Sequence, residues 1–134
     1  MEANKIIITG GATRIGASIA KKLSNPGVEM VIHYNKSKLN AEKLKKELSK
    51  SKTKVYLIKG DLSKERDVTK IVKFAKSKLK YFDCLINNAS LFENDKLENF
   101  TTDSWGYHLR TNLRAPALLT KEFAKNTRGQ NNNI

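Results

Sequence analysis

The sequence predicts an α/β fold: a doubly wound parallel sheet of strand order 3-2-1-4 with helices on both faces. Three observations lead there. Short apolar runs rich in β-branched residues alternate four times with stretches of helical periodicity, a pattern that calls for a parallel sheet covered on both sides. Right-handed crossovers then constrain how the units wind. Finally, the first and fourth strands both end in unusual polar or glycine-rich sequence, and in this order they flank the crevice where the winding reverses.

Each element has its own signals. Residues 6–8 are three isoleucines that stop at Gly10 and Gly11, and form the first strand. A helix is expected from about Arg14, with Ile15, Ile19 and Leu23 on one face, Ala17 and Ala20 beside it, and Asn25-Pro26-Gly27 as its stop. The second strand covers 28–34. Ser37 is placed to cap a second helix whose inner face is Ala41, Leu44 and Leu48. Residues 55–58 form the third strand, followed by Gly60-Asp61-Leu62. Ser63 is expected to cap a third helix with Val68, Ile71, Val72, Ala75 and Leu79 inside. The fourth strand, 83–86, runs into Asn87-Asn88-Ala89-Ser90, and after a loop to Thr102 a fourth helix is expected over 103–126.

That last helix carries a stripe. Trp105, Leu109, Asn112, Pro116, Leu119 and Phe123 recur at spacings of four and three, which is one face. Asn112 is therefore expected to be buried and in need of partners. Pro116 has no N–H, so the carbonyl of Asn112 loses its helical bond. Either a simple proline kink results, or the freed carbonyl seats an ordered water.

Composition bounds the class. At 134 residues the chain is a single domain, and 39% apolar with 29% charged residues is the balance of a soluble globular protein. No run approaches the roughly 18 to 20 apolar residues of a membrane span, and no export leader is visible. Cys84 is the only cysteine, which fits a cytoplasmic setting and reads as a buried structural thiol. No metal site is expected. The net charge of +13 comes from 26 basic and 13 acidic residues, and nucleic acid is its obvious candidate partner. Between Lys36 and Lys80, however, the lysines fall on polar helix faces interleaved with Glu42, Glu47, Glu65 and Asp67, and Arg66 is the single arginine. Nucleic-acid sites favour arginine and interleaved aromatics. A solvated basic face is the expectation, and a nucleic-acid-binding protein the weaker alternative.

The chemistry gathers at the strand ends. A strand that stops at Gly10 and turns into a helix near Arg14 aims backbone N–H groups and a helix dipole at one spot, which suits a phosphate. Gly10 and Gly16 let that phosphate approach the backbone. In such a fold the end of the second strand meets a ribose, and a carboxylate about 20 residues past the glycines would accept from its 2′-hydroxyl. Here that position offers His33, Tyr34, Asn35, Lys36 and Ser37, with Arg14 across the glycine turn. Two cations, a hydroxyl and no acid suit a 2′-phosphate, so NADP(H) is expected over NAD(H).

These residues together resemble the short-chain dehydrogenase/reductases, which have a Rossmann-like fold, and within them the pteridine reductases. Thr9-Gly-Gly-Ala-Thr-Arg-Ile-Gly16 is similar to the family's cofactor motif, with Arg14 in place of the middle glycine as in pteridine reductases. Asp61-Leu62 looks like the adenine-binding pair. Asn87-Asn88-Ala89-Ser90 is similar to the Asn-Asn-Ala-Gly motif in its pteridine-reductase form, and Asn112-Leu-Arg-Ala-Pro116 to the segment with the active-site asparagine. The resemblance implies Gly10, Arg14, Ile15, Gly16, Asn88, Ala89 and Ser90 around the cofactor, with His33 to Ser37 as the 2′-phosphate clamp. It also implies Ser90 and Phe92 at the substrate, Phe92 stacking on a flat pterin; the alternative for Phe92 is a ring packed on the domain. Asn112 would support a proton relay through an ordered water.

The family's Tyr-x-x-x-Lys pair has one match here, Tyr34 to Lys38, on the adenosine side. Tyr56, Tyr81 and Tyr107 are followed four residues later by Gly60, Leu85 and Thr111. The chain ends at Gln130-Asn-Asn-Asn-Ile134, about where a fifth strand should begin. This chain is therefore expected to bind cofactor without turnover, and to self-associate or be completed by another polypeptide, since an open parallel edge invites pairing. The alternatives are a noncatalytic nucleotide-binding or interaction module, and a reductase of another substrate class such as 3-oxoacyl groups.

Overall fold

A computed structural model describes residues 3–127. Four parallel strands, β1 (Lys5–Ile8), β2 (Glu29–Tyr34), β3 (Lys54–Lys59) and β4 (Cys84–Ile86), pair in the order β3-β2-β1-β4. The register is in step: Ile8 lies beside Ile32 of β2 and Ile86 of β4. Side chains alternate across the sheet, so Ile7 enters one core and Ile6 and Ile8 the other. A strand buried on both faces has no polar side to show, which is why Ile6, Ile7 and Ile8 follow one another in β1. The strands start close to where the sequence places them. Asp83 stays outside β4, its carboxylate accepting from the Asn4 and Lys5 amides, and Cys84 is half-buried rather than buried.

Helices α1 (Arg14–Leu23) and α2 (Lys38–Ser49) flank the face of Ile6 and Ile8. The inner face of α1 is Gly16 and Ala20, while Ile15 is 70% exposed and Leu23 37%. Ile19 and Ala17 pack against this core as expected, but Ile15 and Leu23 do not: the inner face is centred on the small residues Gly16 and Ala20, which let the helix close onto the sheet. In α2, Ala41, Leu44 and Leu48 are buried as expected, and Ser37 occupies the N-cap but makes no side-chain cap bond. Helix α3 (Glu65–Leu79) buries Val68, Ile71, Ala75 and Leu79 on the opposite face. Its N-cap is Lys64, not Ser63. The Ser63 hydroxyl is drawn back to Asp61, donating to Oδ1 at 2.8 Å.

The expected fourth helix is broken. It forms α4 (Thr102–Leu109), a π turn at Arg110–Arg114, and α5 (Ala115–Lys125). In the π turn the Ala115 amide donates to the Arg110 carbonyl, one residue further back than in an α-helix. Pro116 then sits in the first turn of α5, where its missing N–H leaves no gap. The extra residue rotates the helix face by about 100°. Thr111, Ala115, Leu119 and Phe123 consequently form the buried stripe, while Trp105, Leu109 and Asn112 are exposed.

On the side of β4 away from β1, the Phe82 amide donates to the Asn126 carbonyl at 3.0 Å and Phe82 bridges Thr127 in parallel. Phe82 also stacks on Phe123 with ring centroids 6.2 Å apart. The outer side of the β4 segment is thus already met at Thr127. Residues 130–134, where the sequence places the start of a fifth strand, lie outside the described residues. Among the described residues, no helix is long and apolar enough to cross a membrane.

The caps give a direct test. Thr101 Oγ1 accepts from the Ser104 amide at 3.0 Å, and Ser104 Oγ accepts from the Thr101 amide at 3.2 Å. Thr101→Ala should cost about 1 kcal/mol in urea unfolding, and Ser37→Ala less than about 0.5 kcal/mol. Equal losses would contradict the cap assignments.

Candidate functional site

The crevice between the carboxyl ends of β1 and β4 is held by Thr9. This residue is 1% exposed, and its amide donates to the Ile86 carbonyl at 3.0 Å. Its hydroxyl donates to the same carbonyl at 3.4 Å and accepts from the Asn88 and Ala89 amides at 3.1 and 3.0 Å. Asn88 answers from the other side, its Nδ2 donating to the Thr9 and Gly10 carbonyls at 3.0 Å each. The buried Thr9 hydroxyl is thus paired as donor and as acceptor, as burial requires.

Two glycines let α1 reach this junction. Gly10 has φ +60°, and a Cβ there would lie 2.9 Å from Ala89 Cα. At Gly16 a Cβ would meet the Gly10 carbonyl at 2.3 Å and Asn88 Nδ2 at 2.6 Å. With hydrogen in those places, the first turn of α1 and its free amides border the cleft directly.

His33 holds the neighbouring strand ends. Its Nδ1 accepts from the Gly10 amide at 3.2 Å, and its Nε2 lies 2.9 Å from the Gly60 carbonyl. A carbonyl can only accept, so Nε2 carries the proton and the ring is neutral. Burial pushes the His33 pKa down, against a smaller opposing pull from the Gly60 carbonyl. His33 is thus a strut between the ends of β1, β2 and β3, with both ring nitrogens committed to backbone. Asp61 is tied locally as well: Oδ1 accepts from the Ser63 amide and hydroxyl. The Asp61 amide donates to Asp67 Oδ2 at 2.8 Å, which holds the Asp67 carboxyl below its usual range.

One cleft of about 960 Å³ brings these features together. Every residue expected at the cofactor lines it: Gly10, Arg14, Ile15 and Gly16; His33 to Ser37; Asp61 and Leu62; Asn88 to Ser90. In this lining Arg14 and Lys36 are exposed, and neither forms an ion pair among the described residues. Arg14 takes φ +48°, a left-handed backbone where glycine is the usual occupant. Sequence reasoning missed Thr13, Asn40, Leu91, Tyr107 and Thr111, which also line the cleft. Tyr107 and Asp61 line the same cleft, and burial and then the Asp61 charge raise the Tyr107 pKa. Nothing local to Tyr107 signals this, because the two residues meet only through the fold.

Phe92 and Asn112 stand beside the cleft, not in its wall. Asn112 Oδ1 accepts from the Leu91 amide and Nδ2 donates to the Leu91 carbonyl, both at 2.7 Å. Phe92 follows at 85% exposure, which removes the packed-ring alternative. Among the described residues, no group of three or more His, Cys, Asp or Glu side chains could hold a metal.

Comparison with known proteins gives a consistent family. A model of the short chain dehydrogenase family matches residues 4–134. The short-chain dehydrogenase/reductase FrzI of a Cladobotryum species is 30% identical over 115 residues, covering 86% of this chain and 45% of FrzI. A short chain dehydrogenase from Burkholderia cenocepacia in complex with NADP superposes with a TM-score of 0.87 at 27% identity, over 92% of this chain and 51% of that one. FolM alternative dihydrofolate reductase 1 from Brucella suis, in complex with NADP, gives 0.84 at 30% identity, over 93% and 52%. The chain spans about half the length of these relatives.

The His33 strut makes stability depend on pH. Its folded pKa lies below the unfolded value of about 6.5, so the unfolded chain binds the extra proton first. The stabilisation is whole above that unfolded value and is lost as pH falls through the folded pKa. Melting curves should show Tm falling in this window, and His33→Asn should flatten that slope while lowering Tm overall. An unchanged slope in the variant would contradict the strut.

Proposed function

Because the chain belongs to the short-chain dehydrogenase family, we propose that it forms the NADPH-binding part of a reductase resembling pteridine reductase. NADPH, when bound, supplies the hydride that such a reductase passes to a pterin or another carbonyl or imine. One observation carries the cofactor choice: the ribose end of the cleft holds Arg14 and Lys36 and no carboxylate from His33 to Ser37. A bare 2′-hydroxyl calls for an acceptor there, and a 2′-phosphate for cations. The Ser37 hydroxyl, which caps nothing in α2, is a further donor at this end. The Gly10–Gly16 cradle at the N-terminus of α1 suits the pyrophosphate. Relatives described in complex with NADP support the same choice.

The pterin reading rests on two supports. One relative is named a dihydrofolate reductase, and the exposed Phe92 ring adjoins the cleft-lining Leu91, where a flat heterocycle could stack. In this reading Ser90 meets both cofactor and substrate, and Asn112 positions the substrate segment through Leu91 while its backbone carbonyl serves the proton relay. The sequence's only Tyr-x-x-x-Lys, Tyr34 to Lys38, lies at the ribose end. Residues 1–134 are therefore proposed to bind NADPH without reducing a substrate by themselves. The same observation favours, as the second reading, a noncatalytic nucleotide-binding module. Exposed Trp105, Leu109 and Leu113 support a second copy or another polypeptide covering that helix face.

Calorimetric titration of a chain with Arg14→Ala and Lys36→Ala tests the clamp. NADPH should bind roughly tenfold more weakly or worse, with NADH little changed. Equal weakening of both would overturn it. Arg14→Gly separates charge from backbone: it should lose NADPH preference as Arg14→Ala does, yet be more stable than Arg14→Ala by about 1 kcal/mol.

A further inference from the structure

The positive charge of the chain is concentrated at one edge of the sheet. Of its 26 basic residues 16 lie between Lys36 and Lys80, against 5 of its 13 acidic ones. That stretch holds α2, β3 and α3, and β3 is the outermost strand on the side away from β4. Three of those acids are already engaged: Glu47 pairs with Lys21, Asp61 with Lys64 and Asp67 with Arg66.

The same edge has free backbone to offer. The Lys54 amide donates to the Val28 carbonyl at 2.9 Å, and the Gly60 amide to the Tyr34 carbonyl at 3.0 Å. Backbone groups alternate in direction along a strand, so the even-numbered residues of β3 serve β2. Val55, Leu57 and Lys59 then turn their N–H and C=O groups away from the sheet, and among the described residues no strand meets them there. Tyr56, Leu57 and Ile58 are half-buried, which leaves apolar surface along the edge, and exposed Lys54 and Lys59 stand at its two ends. From α3, Lys78 Nζ lies 5.7 Å from the centre of the Tyr56 ring. On α2, Glu47 faces α1 through Lys21, so Lys45, about 200° round the helix from it, faces the other way. Lys45, Lys54, Lys59 and Lys78 form no ion pair among the described residues.

We propose that the β3 edge is a docking site for an acidic, extended segment of another protein, which adds to the sheet as a strand beside β3. Such a segment pairs its backbone with the outward groups of Val55, Leu57 and Lys59, and its carboxylates meet lysines from both faces. Two other occupants match less of the surface. A second copy presenting this edge brings the same lysines against themselves, which is how edge lysines discourage self-pairing. Nucleic acid answers the charge but has no amide ladder for a strand edge, and the stretch holds a single arginine, Arg66. The site lies two strands from the crevice between β1 and β4, so it does not rest on the cofactor reading.

Amide hydrogen exchange by NMR on the 134-residue chain at pH 7 tests it, with an eight-residue peptide alternating Glu and Val as the probe. The peptide should protect the Val55, Leu57 and Lys59 amides about tenfold or more, leave Tyr56 and Ile58 unchanged, and bind more weakly as salt rises. An N-methylated form, which keeps the carboxylates and loses the amide donors, should bind about tenfold more weakly. Lys54→Glu with Lys59→Glu changes two exposed positions, and should abolish binding while urea unfolding shows the fold intact. Absence of protection at the three odd-numbered residues would overturn the proposal, as would equal binding of the N-methylated peptide or of one alternating Lys and Val. Tighter binding of a short DNA duplex at this edge would overturn it too, because that marks a surface read by charge alone.

Discussion

Everything at the cleft depends on the tether between Thr9 and Asn88. Strands β1 and β4 are adjacent in the sheet but nearly 80 residues apart in the chain, and their ends must diverge to leave a crevice. The Thr9 hydroxyl serves the Ile86 carbonyl and two amides of the β4 loop, while the Asn88 amide group returns to the β1 loop. The result is a junction hydrogen-bonded in both directions, from each strand end to the other. It fixes Gly10 against Ala89 and, through Gly16, brings the start of α1 to the cleft. His33 extends the same frame sideways to β2 and β3. The wall of the cleft from Gly10 to Gly16 is therefore held in place by contacts within the chain itself.

The second pivot is the π turn. By shifting one backbone hydrogen bond, it absorbs Pro116 and turns Asn112 away from the core toward the loop after β4. An asparagine facing the core would have needed buried partners. Facing the loop, it becomes a clamp on Leu91, and His108 becomes its counterpart at Glu93. That wall and the clamped loop meet at Ser90 and Leu91, both in the cleft lining. The end of the cleft lined by Arg14 and Lys36 differs from both, since these two stand in solvent without an ion-pair partner among the described residues.

Strand order, most of both cores and the part of the cleft lining at the strand ends were legible in the sequence because each rests on a local pattern. Isoleucine runs mark buried parallel strands, glycines mark a close approach, and the run from His33 to Ser37 lacks Asp and Glu. The rest needed the third dimension. His33 looked like one member of a polar cluster, and its role as a strut comes from Gly10 and Gly60, more than 20 residues away on either side. The stripe through Trp105 and Asn112 failed because periodicity assumes an unbroken α-helix, whereas the π turn resets the phase. Ser63 was read as a cap, but Asp61 competes for its hydroxyl. Ile15 lies outside because α1 turns Gly16, Ala17, Ile19 and Ala20 toward the sheet.

The central claim is that the ribose end of this cleft is built for a 2′-phosphate. Calorimetric titration with adenosine 2′,5′-bisphosphate and with ADP measures that end directly, without the nicotinamide or any substrate. The account predicts clearly tighter binding of adenosine 2′,5′-bisphosphate, with a preference that shrinks as salt screens Arg14 and Lys36. Equal affinity for the two, or tighter binding of ADP, would contradict it.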